Sequence, residues 1–291
     1  MKFLITGAGG QLGSEWAKFL AAAEGHKAIA LTSSEMDITD PECVMSMLEA
    51  KRPDVVVNCA AYTAVDQAES EPEAAFRANR DGVRHLSDAC AENDIMLVHY
   101  STDYVFPGKA EDRSKYPKGY PETANRAPVN RYGDSKLAGE QELEKSEAKW
   151  LLVRVSWLCS ASGTNFVNTM IRLGNEREEL SVVDDQIGSP SFTFDVVDKT
   201  MTLLEKERTG TFHVSCTGVV SWADFAEEIF EQLNMDTGVI RVTTAEYPTA
   251  AVRPAFSLLA TEKIRSEGLI PLQWKDGLRK LLELKKETYE D

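Results

Sequence analysis

Basic residues are the first shortage in this 291-residue chain: 32 lysines and arginines stand against 47 aspartates and glutamates, a formal net charge of −15. A molecule of that sign does not draw a phosphate backbone or an anionic lipid surface to itself, which excludes nucleic acid and membrane as general partners. An anionic small ligand would need a locally positive pocket. Histidines number four and cysteines five. The odd cysteine count, the lack of C-x-x-C and the lack of paired histidines argue against a disulfide framework and a structural zinc site. That usage fits a reducing compartment. No apolar run approaches the ~18 residues of a spanning helix, and the one at 1–6 is too short for a signal peptide. A soluble, cytoplasmic protein is expected. Hydrophobic residues at 43% and charged residues at 27% exclude a disordered or fibrous chain. The length suits one large or two modest domains.

Through residue 155, short β-branched or apolar runs alternate with longer stretches of helical period. Strands are expected at 3–6, 28–31, 55–57, 95–100 and 151–155. Helices are expected at 15–23, 41–50, 71–91 and 131–146, the second with Asp40 as cap and Pro41 at its first position. Runs such as Val55-Val56-Val57 suit strands buried on both faces. The pattern predicts an α/β fold, a Rossmann-type doubly wound parallel sheet. The later part is less regular, with strands expected at 180–183 and 211–215 and helices at 195–205, 221–233 and 274–284. It reads as a smaller C-terminal α/β substrate domain. We expect a dinucleotide-binding domain at 1–158 and a mainly substrate-binding one at 159–291, with 187–215 packing back on the first. The segment 107–128 has no hydrophobic period, and a loop of that length suggests a lid or a site rim.

Three features carry chemistry. Gly7, Gly10 and Gly13 form G-x-x-G-x-x-G directly after the first expected strand and at the start of a helix. That placement suits a tight turn, close backbone approach to a pyrophosphate, and a helix N-terminus aimed at it. Tyr132 and Lys136, four apart at the start of a helix, share one face. An ammonium beside a phenol would lower the phenol pKa from ~10 toward a useful range for proton transfer. Thr102 ends the fourth expected strand, where carboxyl ends face the ligand crevice of a doubly wound sheet. It could bond the carbonyl oxygen that Tyr132 protonates. The second strand runs into Thr32-Ser33-Ser34-Glu35, with no acid or arginine at its first positions, so NADH and NADPH both stay open. Asp37 and Ile38 either flank an adenine or belong to a plain loop.

These features resemble the extended short-chain dehydrogenases/reductases. More specific segments are similar to the dTDP-4-dehydrorhamnose reductases: 58–71 (NCAAYTAVDQAESE), 99–108 (HYSTDYVFPG), 132–140 (YGDSKLAGE), 154–157 (RVSW), 184–190 (DDQIGSP) and 247–254 (YPTAAVRP). The resemblance covers most of the chain. It implies hydride transfer from NADPH or NADH to C4 of dTDP-4-dehydro-L-rhamnose, with Tyr132 as acid. Lys136 would lower the phenol pKa and hold the nicotinamide ribose, and Thr102 would tune the phenol. Gly10, Gln11 and Leu12 would line the pyrophosphate, with Ala61, Tyr62 and Thr63 along the cofactor. Asp103 and Trp157 match nucleotide-sugar contacts, although Trp157 also reads as a core aromatic. Arg253 would offset a diphosphate or make a surface salt bridge. Because Tyr104 follows Asp103, the second carboxylate of a 4,6-dehydratase is missing. The stretch 190–194 departs from the small and acidic pattern of some relatives, so no metal is expected. Two alternatives remain: a reductase of another 4-keto nucleotide sugar, and a non-catalytic NADP-binding subunit like the methionine adenosyltransferase beta subunit; for assembly, a homodimer stays open.

Overall fold

The computed structural model describes residues 1–290, with side chains through 286. Its centre is a parallel sheet of six strands: β1 (Lys2–Thr6), β2 (Lys27–Leu31), β3 (Val55–Asn58), β4 (Met96–Thr102), β5 (Trp150–Val155) and β6 (Gly210–His213). The order across the sheet is β2-β1-β3-β4-β5-β6. The chain therefore leaves β1 on one side for β2 and returns on the other for β3, which opens a crevice at the carboxyl ends of β1 and β3. The register sets Thr6 beside Asn58, Asn58 beside His99, and Thr102 beside Val155, all along that edge.

Both faces are dry, as their valine-rich strands require. On one face Phe3, Ile5, Val57 and Val153 pack against Trp16 and Leu20 of helix Gln11–Ala22 and Val196 and Met201 of helix Thr193–Glu205. On the other, Leu4, Val56 and Leu97 meet Val44 and Leu48 of Pro41–Lys51, Leu86 of Gly82–Glu92 and Leu143 of Arg131–Lys145. Asp40 caps its helix as expected, accepting from the N–H groups of Glu42 (3.0 Å) and Cys43 (3.2 Å).

A second apolar cluster gathers helices Phe166–Glu176, Trp222–Leu233 and Trp274–Glu290 around a parallel strand pair, Glu179–Val183 with Gly238–Val242. The second strand of that pair lay outside the sequence expectation. Helix 71–91 is corrected: the chain forms Pro72–Phe76, a π-turn over Arg77–Asp81, then Gly82–Glu92. The segment 107–128 holds one short helix, Asp112–Lys115, and is anchored where Tyr120 stacks on Phe106 at 4.6 Å.

Candidate active site

Backbone crowding explains the glycine loop. Gly7 has φ +64°, and a Cβ there would lie 2.7 Å from the Ala60 nitrogen; one on Gly13 would lie 2.3 Å from the Gly7 carbonyl oxygen. Gly9 faces open space. The next helix begins at Gly10 with no side-chain cap, so its first-turn N–H groups are left to an anion. That cradle fits a dinucleotide pyrophosphate.

The loop opens into a cleft of about 610 Å³. Of the expected residues, Gly10, Gln11, Leu12, Ala61, Thr63, Thr102, Asp103, Tyr132, Lys136 and Trp157 line it. Gly7 lies behind, against Ala60. Tyr62 points its hydroxyl to Glu71 (3.3 Å) and lies off the lining. Asp37 is exposed and accepts from the Thr39 N–H (2.9 Å), while Ile38 is buried in the core beneath Gly82. The Ile38 side chain is therefore a packing element. Glu35 is turned back onto its own loop, accepting from the Thr32 hydroxyl and N–H at 2.8 Å each. Gln11 also reaches across the cleft: its Oε1 accepts from Ser160 (2.8 Å) and Asn165 (3.1 Å), which ties the 160–165 loop over the glycines.

Helix Arg131–Lys145 starts where Asn130 accepts from the Gly133 N–H (2.8 Å), and this fixes Tyr132 and Lys136 at its first turns. Lys136 is buried, and its Nζ donates to the Tyr100 carbonyl oxygen at 2.7 Å. Burial pulls its pKa down to about 8. The expected lowering of the Tyr132 phenol is corrected. Burial raises it first and the Asp103 carboxylate second, while the Thr102 hydroxyl acts in the opposite direction. Tyr132 therefore holds its proton firmly. Asp103 is itself pushed up to about 7 by burial, with Thr102 donating to its Oδ1 at 2.9 Å.

Three residues escaped the sequence reading. Asn79, on the π-turn, accepts from the Tyr62 N–H (2.9 Å), donates to the Tyr62 carbonyl (3.0 Å), and donates to Ser135 (2.9 Å) on the tyrosine helix. Trp222 stacks on Trp157 with ring centroids 3.6 Å apart, and Ser257 accepts from the Trp157 indole at 3.1 Å. Trp157 sits at φ +47°, a strained position for so bulky a side chain and a common mark of a functional site. Trp222 also lines a second cavity of about 570 Å³, whose rim carries Arg253. There Arg253 pairs with Asp66 at 2.6 Å. Among the described residues no group of three or more His, Cys, Asp or Glu could hold a metal ion, and no helix is long and apolar enough to cross a membrane.

The family model for the RmlD substrate binding domain matches residues 1–286. A dTDP-4-dehydrorhamnose reductase of Aggregatibacter actinomycetemcomitans is 40% identical over 294 residues, 96% of this chain and 98% of that one. The chain belongs to the dTDP-4-dehydrorhamnose reductase family. A second family relative, a spore coat polysaccharide biosynthesis protein of Bacillus subtilis, is 39% identical over 97% of both chains. The crystal structure of a dTDP-4-dehydrorhamnose reductase from Bacillus anthracis in complex with NADP superposes with a TM-score of 0.92 at 42% identity, covering 97% of this chain and 98% of that one. This chain and the Bacillus anthracis enzyme thus share one fold over nearly their whole length.

Proposed function

We propose that the chain reduces the C4 keto group of dTDP-4-dehydro-L-rhamnose to give dTDP-L-rhamnose, with NADPH as reductant. The observation that carries this is the meeting of Thr102, Tyr132 and Lys136 with an uncapped glycine loop in one cleft, opening beside a cavity with an arginine at its rim. When bound, the reduced dinucleotide supplies the hydride. Tyr132 hands its proton to the substrate oxygen, and its raised pKa suits an acid that must be loaded before each turnover. Thr102 orients that oxygen. Lys136 holds the cofactor ribose and the helix register from its place on the Tyr100 carbonyl. Trp157 and Asp103 bound the sugar. Residues 1–158 serve the dinucleotide, with the 187–215 segment packed back on them, and the rest of 159–291 mainly serves the substrate, in a cytoplasmic enzyme.

NADPH is favoured over NADH by the NADP complex of the Bacillus anthracis relative, and by Glu35 being engaged within its own turn. The complete acid–base set speaks against a non-catalytic NADP-binding subunit. The test follows absorbance at the reduced-nicotinamide band with enzymatically made dTDP-4-dehydro-L-rhamnose and NADPH or NADH. Oxidation that depends on the sugar, faster with NADPH, is expected. Tight NADPH binding without sugar-dependent oxidation would overturn the reading.

A further inference from the structure

The 570 Å³ cavity beside the cleft is lined by four charged residues, Asp66, Arg177, Glu179 and Arg253, which cancel. A nucleoside diphosphate carries at least two negative charges. To receive one, the cavity must release a cation from its present partner. Arg253 is the candidate: its Nη2 donates to Asp66 Oδ2 at 2.6 Å, with the guanidinium largely covered and the carboxylate half exposed.

The pair is built to open. Asp66 sits on the loop after β3, and Arg253 on the strap 249–254 that closes the cavity from the other lobe. The strap keeps other anchors: Asn130 donates to the Val252 carbonyl (2.8 Å), and Ala255 N–H donates to the Gly108 carbonyl (2.8 Å). Asp66 also accepts from the Ala251 N–H through its other oxygen (3.0 Å). Arg253 can therefore exchange its partner without the strap leaving its seat. Magnitudes favour the exchange, because a half-exposed ion pair is weak while a phosphate offers the guanidinium two charge-assisted bonds. Tyr104, whose ring meets that of Tyr132 edge-on at 5.7 Å, lies within the field of both Arg253 and Asp66.

We infer that Asp66 is a displaceable counter-ion for Arg253, a stand-in for the substrate diphosphate that holds the guanidinium at the cavity mouth and gives it up when the ligand arrives. Asp66 is thus a positioning residue. The inference rests on the nucleotide-sugar reading above.

Calorimetric titration of dTDP into the NADPH-loaded protein tests it. Asp66→Asn keeps an oxygen for the Ala251 N–H and removes only the competing charge. It should tighten dTDP binding by about three- to tenfold, the weight of an exposed ion pair. Arg253→Gln should weaken dTDP binding, and adding Asp66→Asn to it should change nothing further. Unchanged NADPH affinity in each variant verifies the fold. If the wild-type chain binds dTDP but Asp66→Asn binds it no tighter, or tightens it equally without Arg253, the counter-ion role is overturned alone. A wild-type chain that binds NADPH but no dTDP overturns this inference together with the reading beneath it.

Discussion

At the scale of single residues, the acid and its neighbours are set by burial. Tyr132 is half-buried at the cleft wall, and both its surroundings and the Asp103 charge oppose the phenolate. Replacing the phenol removes the proton donor of the proposed step. Tyr132→Phe should lower kcat by ~10²–10⁴ while NADPH affinity stays within a few-fold; a steady-state assay with a cofactor-binding titration reads both. Asp103 gives a sharper test. An anion beside a phenol raises its pKa, so Asp103→Asn should move the basic limb of the kcat profile to lower pH. The stability sign follows from the same group. The Asp103 carboxyl titrates at about 7 in the fold and near ~3.9 in an unfolded chain. Between those values the native state binds more protons, so folding stability falls as pH rises through the window. Urea unfolding at pH 5 and pH 8 should show that decline in the wild type and a smaller one in Asp103→Asn. Equal declines would remove Asp103 as their source.

At the scale of elements, the π-turn Arg77–Asp81 is what joins the loop after β3 to the tyrosine helix. It turns Asn79 inward to bond the Tyr62 backbone N–H and C=O and the Ser135 hydroxyl. A π-turn inside helices often marks such a site. The tyrosine helix approaches so closely that a Cβ on Gly139 would lie 2.0 Å from the Asn79 carbonyl oxygen. Gly139→Ala should therefore cost about 1–3 kcal/mol of stability by overpacking, and activity should fall by more than the folded fraction alone explains, because Tyr132 shifts with its helix. Chemical denaturation paired with kcat checks this; a variant of wild-type stability and activity would show that the contact has room. This region also shows what was readable beforehand. Val55-Val56-Val57, the Asp40-Pro41 start and the glycine loop each announce themselves, because local pattern and tertiary role agree there. So does the Tyr132–Lys136 pair, whose spacing fixes a shared helix face. The π-turn does not, since one extra residue in a turn leaves helical periodicity nearly intact. Trp222 and Ser257 were invisible for another reason: they act on Trp157 from 65 and 100 residues away along the chain.

At the scale of the whole molecule, a buried ion-pair network ties the tyrosine helix to the sheet and to the aperiodic 107–128 segment. Glu140 lies one turn beyond Lys136 and accepts from Arg154 of β5 through both oxygens, Nε to Oε1 and Nη2 to Oε2, each at 2.8 Å. Arg126, from the aperiodic segment, donates to the same carboxylate at 2.9 Å. Arg154 also donates to the Glu122 carbonyl (3.2 Å), lies 3.2 Å from His213 of β6, and stands over the Phe106 ring. A segment without hydrophobic period is thus held by charge, by the packing of Tyr120 on Phe106 and Phe256, and by backbone bonds between Tyr120 and Leu258 and Ala260. Removing one partner leaves the others charged and buried, so Glu140→Gln should destabilise the fold by about 3–5 kcal/mol at pH 7. Burial alone would raise the Glu140 carboxyl, but the bonds and charge of Arg154, with help from Ser101 and Arg126, hold it below its ordinary range. A carboxyl lowered in the fold contributes stability above its unfolded pKa of ~4.3 and loses it as pH falls through the folded value. The gap between wild type and Glu140→Gln should accordingly be widest near neutrality and shrink on acidification below about pH 4. Urea titrations across that range measure it. A gap under roughly 1 kcal/mol at neutral pH, the ordinary worth of an exposed pair, would mean that apolar packing and backbone bonds seat the segment and that the network adds no more than a surface contact would.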